Sequence, residues 1–211
     1  MAQRIAIVDY GMGNLRSVQK AFAHVAPDAQ VEVTADPARV RLADRVVFPG
    51  QGAMPDCMRG LRESGLAEAI VEAAASRPFL GLCIGLQMLF ESSREGDTPG
   101  LAVLPGRVLA FAEAAETREA GFKVPHMGWN EVWQSAPHAL WEGIADGARF
   151  YFVHSFYCAP GEPSLTAGWT RYPHAFTSAI TRDNIFATQF HPEKSSAAGL
   201  RLLENFSRWT P

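Results

Sequence analysis

Cysteine is scarce in this chain: 211 residues contain only Cys57, Cys83 and Cys158, an odd number at wide spacing. That excludes a disulfide framework and a zinc knuckle, and fits a reducing compartment where thiols stay free for chemistry. Charge is sparse too, at 19% of residues and a net −3, which leaves no basic footprint for nucleic acid or an acidic membrane. Long apolar runs are missing. The opening MAQRIAIVDY is too short in apolar residues for a signal peptide or a spanning helix, and no later stretch approaches membrane length, so a cytosolic protein is expected. No G-x-x-x-x-G-K-[ST] occurs, and Gly11-Met12-Gly13 is followed by Arg16 where a dinucleotide fingerprint needs glycine. Neither a repeat, a low-complexity segment nor a linker divides the chain. Its length and 47% hydrophobic content suit one domain over residues 1–211.

What is present alternates. Ile5–Val8, Val31–Thr34, Arg45–Phe48 and Pro78–Leu82 read as short buried strands. A helix from Leu15, with Asn14 as its N-cap, and another through Leu66, Ile70 and Ala73 lie between them. The alternation implies βαβ units and a mostly parallel sheet covered on both faces. Beyond Gly100 strands dominate: Val108–Phe111, Asn130–Trp133, Phe150–Tyr157, and a hairpin of Phe176–Thr181 with Ile185–Phe190 around Arg182-Asp183-Asn184. A last helix carries Leu200, Leu203 and Phe206 on one stripe.

Two segments carry chemistry. Gly81-Leu82-Cys83-Ile84-Gly85 joins a buried strand to an apolar helix expected over Ile84–Phe90, the cysteine counterpart of a G-x-S-x-G nucleophile elbow. Such a turn exposes the sulfur at the carboxyl edge of the sheet and at a helix N-terminus, where the dipole favours thiolate. A buried inert thiol is the common alternative for a free cysteine, and it is the reading taken for Cys57 and Cys158, which sit in no such turn. Near the other end, Gln189-Phe190-His191-Pro192-Glu193 puts an imidazole and a carboxylate two residues apart on extended chain, so both can face one target. An imidazole beside the thiol would move its proton, and a carboxylate on the far ring nitrogen would fix the tautomer. A histidine before Pro and Glu could otherwise be loop decoration; the elbow gives it a nucleophile to serve.

GLCIGLQ and FHPE together resemble the class-I, triad-type glutamine amidotransferases, over nearly the whole chain. The resemblance implies a flavodoxin-like α/β fold with antiparallel additions in the C-terminal half. It implies Cys83 as nucleophile, His191 as base and Glu193 as its orienter. Phe48–Ala53 resembles the family's oxyanion strand, so N–H groups of Gly50, Gln51, Gly52 and Ile84 would face the developing oxyanion. Gln87 and Glu95 would hold the amino-acid end of L-glutamine. Tyr151–Tyr157 resembles the substrate-side strand, which adds His154, Ser155 and Phe156. Gln51 and Phe156 stand where a small aliphatic residue and a tyrosine are expected. Neither a metal nor an organic cofactor is called for.

Longer matches narrow the branch. Residues 9–18 (DYGMGNLRSV), 125–130 (PHMGWN) and 191–195 (HPEKS) are similar to glutaminase subunits of imidazole glycerol phosphate synthases. They argue against the glutaminase partners of anthranilate and pyridoxal phosphate synthases, while the intact triad argues against a non-catalytic subunit with a relic site. This branch implies a heterodimer with a (βα)₈-barrel cyclase subunit. The cyclase uses the ammonia to form imidazole glycerol phosphate and AICAR from PRFAR in histidine biosynthesis. Gly11, Asn14, Trp129, Tyr151 and Lys194 are the candidate contacts, although Trp129 and Tyr151 could be core aromatics and Lys194 a solvated lysine. In the resembled enzymes the glycine-flanked peptide at Gln51 is thought to act as a switch, since a peptide between glycines inverts at little steric cost.

Overall fold

The alternation of β-branched runs with amphipathic stretches becomes alternating elements in the computed structural model, which describes residues 2–114 and 121–211. Strand β1 (Arg4–Val8) leads to α1 (Leu15–Val25), β2 (Gln30–Thr34), α2 (Pro37–Leu42) and β3 (Arg45–Phe48). Helices α3 (Met54–Glu63) and α4 (Ala67–Ser76) precede β4 (Phe79–Leu82) and a single helical turn, α5 (Ile84–Gln87). The second half runs β5 (Phe90–Ser93), β6 (Thr98–Pro99), β7 (Leu104–Ala110), β8 (His126–Gln134), β9 (Ala148–His154), β10 (Phe156–Pro160), β11 (Thr166–Arg171), β12 (Ala175–Arg182), β13 (Ile185–Thr188) and α6 (Ser196–Arg208).

The described strands form a 13-stranded sheet whose main path is β2-β1-β3-β4-β13-β12-β10-β7-β5-β6. From β2 to β13 every pairing is parallel, and antiparallel pairs begin at β12. Successive residues of β1 point to opposite faces. Ile5 and Ile7 pack with Phe22 of α1 and Leu203 and Phe206 of α6, whereas Ala6 and Val8 pack with Leu61 and Ile70 of α3 and α4. Both faces are therefore buried, which is why these strands read as unbroken apolar runs.

Three expectations are corrected. The helix expected over Ile84–Phe90 stops at Gln87, because the following chain takes its carbonyls: Leu101 N–H donates to Met88 O, and Val103 and Leu104 N–H to Leu89 O. Phe150–Tyr157 is two strands. The chain changes partners at Ser155, β9 pairing with β8 while β10 pairs with β7 and β12. Asn14 occupies the N-cap position of α1 without a capping bond from its side chain.

Candidate active site

Parallel pairing of β4 with β13 matches Leu82 to Thr188, so the residues that follow each leave the same edge of the sheet. Cys83 N–H donates to Thr188 O at 2.7 Å, which ties the elbow to the start of the His191 segment. At the turn Cys83 has φ 54°, a left-handed conformation that a residue with a side chain adopts only under constraint. Tightness explains the flanking glycine: a methyl group on Gly85 would sit 1.9 Å from the Phe48 carbonyl oxygen.

His191, held through its N–H to Tyr151 O at 2.9 Å, is buried beside Cys83. Its Nδ1 meets Glu193 Oε1 at 2.9 Å, with the Glu193 side chain buried. The other nitrogen, Nε2, is buried on the side of Cys83, with no nitrogen or oxygen partner among the described residues. Burial alone would lower the imidazole. The charge of a Cys83 thiolate, a hydrogen bond to it, and the bonded Glu193 carboxylate outweigh that and raise it to about 10. The ring is thus set to take and keep a proton from a sulfur nucleophile. Ser195 braces the turn, its Oγ donating to His191 O and accepting from Tyr151 N–H.

A cavity of about 340 Å³ opens over these groups. Gln51, Gly52, Ile84, Gln87, Glu95, His154, Ser155 and Phe156 line it together with Cys83 and His191, so most expected substrate and oxyanion residues converge there. Glu95 faces it while accepting from Met54 N–H at 2.8 Å. Gly50 lies elsewhere, in a small cleft behind the site with Asn14, Gln51, His191 and Glu193. The freedom expected of the peptide between the two glycines is unequal. Gly52 has φ +120°, which favours glycine, but a methyl on Gly50 would lie 2.5 Å from the Tyr10 hydroxyl, which donates to Pro49 O at 3.0 Å. A larger depression of about 470 Å³ beside α6 includes neither Cys nor His in its lining.

Of the candidate contact residues, Trp129 and Tyr151 pair across β8 and β9, and Lys194 Nζ lies 5.9 Å over the Tyr151 ring. Trp129 is 47% exposed, which sets aside its reading as a core aromatic. Gly11 is exposed, its N–H bonded to Asp9. Two neighbours of the site had no assigned role in the sequence. Gln189 Nε2 lies 3.7 Å from Cys83 Sγ, and His126 bonds His154; a glutamine inside an apolar strand was the available signal for the first.

The chain is similar to known proteins over nearly its whole length. A family model described as glutamine amidotransferase class-I matches residues 6–208. The imidazole glycerol phosphate synthase subunit HisH of Aromatoleum aromaticum is 61% identical over 209 residues, covering 98% of this chain and 99% of that one. The protein of the same name from Nitrosospira multiformis is 62% identical over 209 residues, covering 98% of each. Among solved structures, PurLQS from Thermotoga maritima superposes with a TM-score of 0.71 at 15% identity over 99% of both chains. A glutamine amidotransferase from the same organism gives 0.64 at 16% identity, covering 99% of this chain and 84% of that one. These last two share the fold. Relatives this similar over their full length, with a family model spanning residues 6–208, lead to one conclusion: the chain belongs to the class-I glutamine amidotransferases.

Proposed function

We propose that the chain is the glutaminase subunit of imidazole glycerol phosphate synthase, acting in the cytoplasm as a heterodimer with a (βα)₈-barrel cyclase subunit. The observation that carries this reading is end-to-end identity of about 60% with proteins of that name, joined to a cysteine and an imidazole lining one cavity with a carboxylate bonded to the imidazole from behind. Three free cysteines suit a reducing compartment.

Glutamine enters with its side-chain amide over Cys83, its amino-acid end toward Gln87 and Glu95. The Cys83 proton passes to His191 Nε2 and the sulfur attacks the amide carbon. Backbone N–H groups of Gln51, Gly52 and Ile84 meet the oxyanion, one such donor being worth about 3 kcal/mol in the transition state. His191 returns the proton to the leaving nitrogen, ammonia departs toward the cyclase, and water hydrolyses the thioester to glutamate. Trp129, Tyr151, Lys194, Gly11 and Asn14 form the docking surface for that partner. Hydrogen bonding of Tyr151 to His191 puts this surface one residue from the catalytic base.

The test uses the chain assembled with its cyclase subunit. Cys83→Ala abolishes synthesis driven by glutamine but leaves synthesis from added ammonium salts intact. Continued use of glutamine by that variant would sink the mechanism, and a parent chain that responds only to a different acceptor enzyme would sink the assignment.

A further inference from the structure

A buried histidine pair lies outside the triad, and one of the two, His154, lines the cavity. His126 opens β8 and His154 ends β9, opposite one another in register, with His126 Nδ1 and His154 Nε2 2.8 Å apart. Only one placement of protons satisfies the atoms around them. The Phe156 carbonyl, 2.8 Å from His154 Nδ1, can only accept, so Nδ1 carries the hydrogen. His154 Nε2 is then a lone pair and His126 Nδ1 must donate to it. His126 Nε2 becomes an acceptor facing Asn130 Nδ2 at 3.2 Å. Asn130 cannot be turned over, because its Oδ1 accepts from Glu131 N–H at 2.8 Å and its Nδ2 also donates to Arg171 O at 3.1 Å. Burial lowers His126 to about 4 and His154 to about 3, so both rings are neutral, as a chain with one hydrogen per contact requires.

The far end of this chain reaches the glutamine site. Phe156 O also accepts from Gln87 Nε2 at 3.2 Å, and the same Nε2 donates to Gln189 Oε1 at 2.9 Å. With its donors turned away, Gln87 lines the cavity while its Oε1 is buried and has no partner among the described residues. A carboxamide fixed this way offers an incoming molecule an acceptor and no donor. We propose that His126 and Asn130 are positioning residues for glutamine binding: through His154 and the Phe156 carbonyl they fix the Gln87 carboxamide so that its oxygen accepts an N–H from the amino-acid end of glutamine. This inference rests on the glutaminase reading.

Two substitutions break the chain without changing its shape. His126→Phe keeps the ring stacked against Phe152 and Tyr172 but leaves His154 Nε2 unpartnered. Asn130→Asp replaces the donor to His126 by an acceptor. Assembled with the cyclase subunit, each raises KM for glutamine about tenfold, the loss expected for a misaligned hydrogen bond, with kcat within about threefold. Synthesis from ammonium salts is unchanged in both. In the unsubstituted protein, ¹⁵N NMR finds His154 protonated on Nδ1 and bare on Nε2. A KM that neither variant moves, a loss confined to kcat, or a proton on His154 Nε2 would overturn the relay even where one variant folds poorly. A parent complex that releases no glutamate would instead bring down the glutaminase reading, and the NMR result would still judge the proton chain.

Discussion

At the scale of the residue, the site depends on where one proton rests. His191 receives opposing influences, burial against a neighbouring sulfur and a bonded carboxylate, and the charges win. Glu193 therefore does more than aim the ring: it makes the imidazolium affordable in a buried place. Glu193→Gln keeps the shape but removes the charge, and its amide can present an N–H to Nδ1 and reverse the tautomer. Glutamine-driven turnover should fall roughly 10²- to 10⁴-fold, as for other triads that lose the orienting carboxylate, with KM changed little. Steady-state glutamate release by the assembled enzyme measures this. A fall of less than about threefold would mean that His191 does not need its partner. The sequence made this pair legible by its short spacing, but the extended chain expected there is instead a 3-10 turn over Pro192–Lys194. That turn, not strand alternation, brings Glu193 to the His191 ring. The sequence did not reveal the His126–His154 contact, since residues 28 apart meet only through strand register.

At the scale of the element, the strand-turn-helix that carries Cys83 tolerates no widening. Gly85 lies against the carbonyl that ends β3, and a Cβ there has no room short of separating α5 from β3. Gly85→Ala should cost about 3 kcal/mol or more and lower the melting temperature by roughly 6–12 °C. Circular dichroism on the isolated chain would show it, and an unchanged melt would deny that the elbow is packed so closely. The same elements show what sequence can and cannot convey. Runs such as Arg45–Phe48 were legible because β-branched residues buried on both faces have few other options. Helix α2 went unread although Asp36-Pro37 is a start signal, its Asp36 side chain accepting from Ala38 N–H at 2.8 Å. Where α5 ends, and where β9 gives way to β10, depends on distant segments: residues 101–104 claim the carbonyls after α5, and Phe111 N–H binds Ser155 O at the break. No local pattern encodes a competitor that far along the chain. That break is also where the cavity acquires Ser155 and Phe156.

At the scale of the whole molecule, buried titrating groups with opposite tendencies give stability a maximum between them. His126 and His154 stay neutral in the folded protein down to about 4 and 3, and burial lowers His138 as well, whereas unfolded histidines protonate near pH 6.5. As pH falls below about 6.5 the unfolded chain binds protons that the native one refuses, so stability declines until the folded values are reached. His191 acts oppositely. It holds its proton to about 10 in the fold, so its contribution is complete below about pH 6.5 and disappears as pH rises through that folded value. Urea unfolding of the isolated chain should therefore give its highest midpoint near pH 6.5, with a decline on either side. His126→Phe should flatten the acid side alone. Cys83→Ala, which removes the largest favourable influence on His191, should flatten the alkaline side alone. Midpoints constant from pH 8 to pH 5 in the unsubstituted protein would contradict neutral buried imidazoles, and with them the single proton arrangement on which the relay to Gln87 depends.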